Sequence, residues 1–98
     1  MNDKLHTSSV DQLFDAILTL KNKDDCYRFF EDLCTINEIM SLSQRLSVAM
    51  MLKDKKTYLE IAEKTGASTA TISRVNRALT YGCDGYNDVI SKIRKTPD

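Results

Sequence analysis

The side chains best suited to recognising a polyanion lie between Lys53 and Arg77. Lys53, Lys55 and Lys56 form a dense run of ammonium groups. Ser68, Thr69, Ala70, Thr71 and Ser73 then present hydroxyls and small side chains, and Arg74 and Arg77 follow three residues apart. Small residues at the start of a helix let its end approach base edges in a major groove. Hydroxyls and backbone N–H groups there suit phosphate oxygens, and a guanidinium pairs with guanine or phosphate. The lysines suit the sugar–phosphate backbone, where neutralised phosphates release counterions. This pattern predicts DNA contacts at Lys55, Lys56, Thr57, Ser68, Thr69, Ala70, Thr71, Ser73, Arg74 and Arg77.

Such a face works only if something holds it outward. Thr57 and Glu60 make a capping box that opens a helix to Thr65. Gly66 supplies a left-handed turn, and a second helix starts at Ser68 and runs to about Tyr81, ended by Gly82 and Gly85. Ile61 and Ala62 in the first helix, with Ile72 and Val75 in the second, provide the inner face of a helix-turn-helix over 57–80. Ala62 sits where the two helices pass closest. A packing hairpin with a solvated outer face is the competing reading, and the lysines would then be a solubilising loop.

Upstream, Ser9 and Gln12 predict a capped amphipathic helix to about Lys21, carrying Leu13, Phe14, Ile17 and Leu18. Asp24 is expected to cap a second helix with Tyr27, Phe29, Phe30 and Leu33. Thr35 and Glu38 form another capping box, opening a long helix to about Leu52. Its apolar positions cover more than one face, so residues 1–52 are read as dimerisation helices, with a monomer wrapped around its own third helix as the alternative. Tyr86, Val89, Ile90 and Ile93 predict a last helix over 86–95 before a polar tail through Pro97.

Three glycines and one proline in 98 residues are too few turn signals for an all-β chain, so a single all-α domain over 1–98 is expected. The net charge of zero hides a gradient. Residues 1–52 hold five Lys/Arg against eight Asp/Glu, and residues 53–78 hold six against three. Cys26, Cys34 and Cys83, with one histidine, His6, do not make a zinc site of usual spacing. They read as core residues in a reducing cytoplasm. No apolar run approaches the ~20 residues of a membrane span, and no signal-peptide core opens the chain. With no nucleophile–base pair, phosphate-cradling glycine loop or metal set, enzymatic chemistry is not expected.

The segments Leu13-Phe14, Cys26 to Glu38, Ser43-Gln44-Arg45 and, above all, Gly66 to Arg74 resemble the Trp repressor superfamily, and within it the YerC/YecD group. The resemblance implies a six-helix, intertwined homodimer. In it the N-terminal helices of both chains form one core and two helix-turn-helix units reach successive major grooves. It also implies that Thr35, Arg45 and Arg74 match the positions that hold tryptophan in the repressor. Val75 replaces a small glycine and Ala78 a polar serine, changes that fill the pocket and remove a partner for the amino group. DNA binding is carried over and no cofactor is expected, with a tryptophan-like effector as the alternative. The combined reading is a dimeric, sequence-specific transcriptional regulator that binds double-stranded DNA, with a helical protein-interaction module or a ligand-gated repressor as competitors.

Overall fold

Local capping chemistry sets nearly every element boundary in this all-helical chain. The computed structural model describes residues 2–95, so the end of the expected polar tail, including Pro97, lies outside the described residues. A short 3-10 turn at Asp3–Leu5 precedes six helices: α1 (Ser8–Ile17), α2 (Lys23–Leu33), α3 (Ile36–Lys53), α4 (Tyr58–Thr65), α5 (Thr69–Tyr81) and α6 (Gly85–Lys95). Contacts divide the chain between Ile39 and Met40 into two compact units.

In the N-terminal unit the first two caps differ from expectation. The side chain of Thr7, not Ser9, accepts from Val10 N at 3.2 Å and starts α1 two residues early. Three consecutive hydroxyl residues compete for this role, and the earliest gains the most helix. The helix ends at Ile17 rather than near Lys21, where Thr19 Oγ1 donates to the Ala16 carbonyl at 2.6 Å and the chain turns. Asn22, not Asp24, caps α2 by accepting from Asp25 N at 2.8 Å. Asp24 and Asp25 then occupy the first turn, where a helix N-terminus favours negative charge.

The expected Thr35–Glu38 box is present. Glu38 N donates to Thr35 Oγ1 at 3.1 Å and Thr35 N donates to Glu38 Oε1 at 2.8 Å. The backbone bond from Thr35, and then its hydroxyl, hold the Glu38 carboxyl below the usual glutamate range. Because the folded value is depressed, the cap contributes above the unfolded value and is lost as pH falls through the folded one.

The C-terminal unit holds the whole buried core of the described residues: Val48, Ala49, Ile61, Ala67, Ile72, Val75 and Ile90. Ile61, Ile72, Ile90 and Val48 are its largest fully buried side chains. Each is worth about 1.5–3 kcal/mol of transfer free energy. The unit is therefore built on the inner faces of α3, α4, α5 and α6. The cysteines are not part of it: Cys26 and Cys83 are exposed and Cys34 is half-buried, which corrects the expectation of core thiols.

Two helix ends carry backbone constraints. The α3 terminus closes as a Schellman motif, with Lys56 N bonded to Met51 O at 3.1 Å and Lys55 N to Leu52 O at 3.0 Å. Lys55 occupies its left-handed position at φ 65, where glycine is the usual residue. At the end of α5, Gly82 N donates to Ala78 O at 2.9 Å, and a Cβ at Gly82 would collide with that carbonyl. Gly85, expected to help end α5, instead opens α6 with free space around its Cβ position.

Urea unfolding at fixed protein concentration checks both ends. Lys55→Gly should raise stability by about 0.5–1 kcal/mol at unchanged m. Gly82→Ala should lower it by about 1–3 kcal/mol, and Gly85→Ala should leave it unchanged or slightly higher.

Candidate nucleic-acid interface

The orientation of α5 is set from beneath. Ile72 and Val75 are buried against Ile61 of α4 and Val48 and Ala49 of α3, with Ala62 packed at the edge of the same cluster. The entry into α5 is equally fixed. Thr57 Oγ1 accepts from Glu60 N at 3.2 Å and Thr57 N donates to Glu60 Oε2 at 3.1 Å, completing the box that opens α4. Gly66 ends that helix at φ 73, and its N–H donates to Ala62 O at 2.9 Å.

Thr65 ties the turn together. Its hydroxyl donates to Ile61 O at 2.7 Å and accepts from Ala67 N at 3.1 Å, while its carbonyl accepts from Gln44 Nε2 at 3.0 Å. Ser68 caps α5, accepting from Thr71 N at 3.1 Å, with the Thr71 hydroxyl 3.1 Å away from its own.

With Ile72 and Val75 inward, Ser68, Thr69, Ala70, Arg74 and Arg77 are exposed on α5. Ser73 and Thr71 are half-buried, so Ser73 is not the fully outward residue expected from the helical pattern. The Ser68 and Thr71 hydroxyls, like that of Thr57, are engaged in capping. The Thr69 hydroxyl has no partner among the described residues. Among the described residues, neither Arg74 nor Arg77 enters an ion pair or hydrogen bond. Three apart on one helix, the two guanidinium groups occupy neighbouring positions of the exposed face.

The lysine run divides in two. Lys53 is held by α6, its Nζ donating to Asn87 Oδ1 at 2.7 Å, and Asn87 Nδ2 reaches Asp84 Oδ1 at 3.2 Å. Asp54 is gripped by Arg94 of α6 through two bonds, Nη1 to Oδ1 at 2.9 Å and Nη2 to Oδ2 at 3.0 Å. Lys55 and Lys56 are exposed and have no partner among the described residues. The Asn87 and Arg94 tethers join residues more than thirty positions apart and leave no short-range pattern that reveals them.

The three residues matched to a tryptophan site differ in their engagement. Thr35 is committed to its capping box, and its carbonyl accepts from Ile39 N at 3.1 Å. Arg45 is half-buried and Arg74 exposed, with no hydrogen bond between them. Val75 belongs to the core, and Ala78 is half-buried with its carbonyl on Gly82 N. Among the described residues no group of three or more His, Cys, Asp or Glu could hold a metal ion, and no helix is long and apolar enough to cross a membrane.

Comparison with known proteins places this geometry in a family. The family model for the Trp repressor protein matches residues 8–94, a stretch that includes α1 to α5 and nearly all of α6. The uncharacterized protein YerC of Bacillus subtilis is 57% identical over 94 residues, covering 96% of this chain and 90% of that protein. The crystal structure of a TrpR-like protein from Eubacterium eligens superposes with a TM-score of 0.92 at 63% identity, covering 99% of this chain and all of that one. A Trp repressor candidate from Staphylococcus aureus gives 0.91 at 53% identity, covering 98% and 96%. With a family match that spans α1 to α5 and nearly all of α6, and relatives this similar over almost the whole chain, the chain belongs to the Trp repressor family.

Proposed function

We propose that the chain is a dimeric, sequence-specific DNA-binding regulator that reads the major groove with α5. The observation that carries this reading is the pair Arg74 and Arg77, exposed and without a partner among the described residues, on a helix locked by Ile72 and Val75. A guanidinium on a rigid helix is pre-organised to fork onto guanine or phosphate. Thr69 and Ala70, small and exposed at the helix start, permit the close approach that such contacts need. Lys55 and Lys56 add phosphate neutralisation from the preceding turn.

The reading requires no effector. Tryptophan would need Thr35, whose groups are spent on capping, and space at Val75, which fills the core instead. Family membership supports a regulatory role and offers no support for enzymatic chemistry.

Dimerisation rests on the N-terminal unit, in which no described residue is buried. Leu18 is 81% exposed, Ile36 80% and Tyr27 66%, and Cys26, Tyr27, Phe30 and Ile39 line an apolar groove. Apolar surface on this scale marks an association site, and a second copy of the chain supplies the matching helices. A two-fold dimer would set its recognition helices about 34 Å apart and favour palindromic sites.

Fluorescence anisotropy on duplexes selected from a random pool tests the DNA reading. Arg74→Ala or Arg77→Ala should each weaken binding about 5- to 150-fold, equivalent to roughly 1–3 kcal/mol, and added L-tryptophan should leave the affinity unchanged. Unaltered binding in both variants would mean that α5 is not the reading surface. Sedimentation equilibrium of the wild type should return twice the 11.1 kDa chain mass. Leu18→Glu should shift the protein towards monomer or unfolded chain and lower its melting temperature at a fixed concentration. A wild type that sediments as a monomer at micromolar concentration would contradict the dimer.

A further inference from the structure

Asp54 is the only carboxylate between Lys53 and Thr57, and it lies directly beside the two lysines that have no partner among the described residues. Asp54 precedes Lys55 by one position and Lys56 by two, so its charge belongs to the same turn as theirs, and charges separated by less than the ~8–10 Å screening length still act on one another. An unmasked carboxylate there would repel the polyanion that its neighbours attract.

The structure answers with α6. Arg94 grips both oxygens of Asp54, at 2.9 and 3.0 Å, and its Nη2 also lies 3.4 Å from the Met50 carbonyl in the last turn of α3. Two turns earlier in α6, Asn87 holds the ammonium of Lys53 at 2.7 Å. Helix α6 thus occupies both members of the Lys53–Asp54 step and leaves Lys55 and Lys56 as the outward charges.

We propose that Arg94 is a positioning residue for nucleic-acid binding: by pairing with Asp54 it removes the repulsive charge from the basic turn. The inference rests on the DNA-binding reading above. It assigns α6, which carries none of the expected contacts, a part in tuning affinity. The pair is a partly exposed ion pair and contributes little to stability. Its value lies in what it does to the field at the turn.

A charge-reversible cycle on full-length protein separates the possibilities, with a labelled selected duplex as probe and anisotropy at several salt concentrations as readout. Arg94→Gln bares Asp54 and should weaken binding about two- to five-fold near 0.1 M salt, with the deficit shrinking as salt rises. Asp54→Asn alone should bind as tightly as wild type or more tightly, because the carboxylate is gone and the Arg94 cation is freed. Asp54→Asn combined with Arg94→Gln should restore binding to near the wild-type value.

A purely structural clamp predicts the opposite. Asp54→Asn would then weaken binding, and the double variant would be no better than Arg94→Gln. Either result, or an Arg94→Gln variant with wild-type affinity at every salt, overturns the proposal. Circular dichroism of each variant identifies loss of fold, and Arg94→Lys, which keeps the charge without the fork, should bind close to wild type. If wild type binds no duplex, the DNA reading and this inference fail together. If wild type binds and depends on Arg74 and Arg77 while the Asp54–Arg94 cycle is flat, the inference fails alone.

Discussion

The contact on which the candidate site depends is the burial of Ile72 and Val75 against Ile61. A helix can rotate about its own axis at little local cost, and only packing decides which side faces water. Two apolar residues three positions apart define one line along α5, and seating that line on α4 and α3 leaves Thr69, Ala70, Arg74 and Arg77 on the other side. Gly66 and the Thr65 hydrogen bonds set where α5 begins, so the rotation and the start of the helix are fixed by separate devices. A change at any of them moves the whole outward set together.

Much of this was legible because it is local. The Thr35–Glu38 and Thr57–Glu60 boxes, the left-handed Gly66 and the Ser68 cap each involve residues within four positions, and their chemistry hardly depends on the rest of the fold. The misplaced boundaries arose where several residues could do the same job. Thr7, Ser8 and Ser9 are all hydroxyl-bearing, and Asn22, Asp24 and Asp25 can all accept at a helix start, so residue type alone does not select the winner. The tethers from α6 to Lys53 and Asp54, and from Gln44 to Thr65, were beyond reach, because they join positions whose proximity exists only after folding.

Those long-range contacts also change how the charge gradient should be understood. Counted along the chain, residues 53–56 hold three lysines and one aspartate. Folded, one lysine is held by an amide and the aspartate is paired with an arginine from outside the segment. The outward charge of the turn is thus carried by Lys55 and Lys56, and the cation that offsets Asp54 comes from a helix with no part in the expected groove contacts. A charge count over a sequence window locates a basic region, whereas the partners made on folding decide which of its charges remain available.

The two units differ in what holds their helices in place. Ordering a residue costs about 1–2 kcal/mol of backbone entropy, and burying a leucine or isoleucine returns about 1.5–3 kcal/mol. In the C-terminal unit that return is realised, among the described residues, by Ile61, Ile72 and Ile90, with Val48, Val75, Ala49 and Ala67 buried beside them. In the N-terminal unit, caps at Thr7, Asn22 and Thr35 define the helices, yet Leu18 and Ile36 keep four-fifths of their surface in water and no described residue is buried. Caps worth about 1 kcal/mol each cannot offset the ordering of two helices in which no side chain is fully buried. What burial residues 2–39 achieve within the chain is partial, carried by half-buried side chains such as Leu13, Ile17, Phe29 and Phe30. The helix-turn-helix, by contrast, stands on a buried core that it shares with α3 and α6.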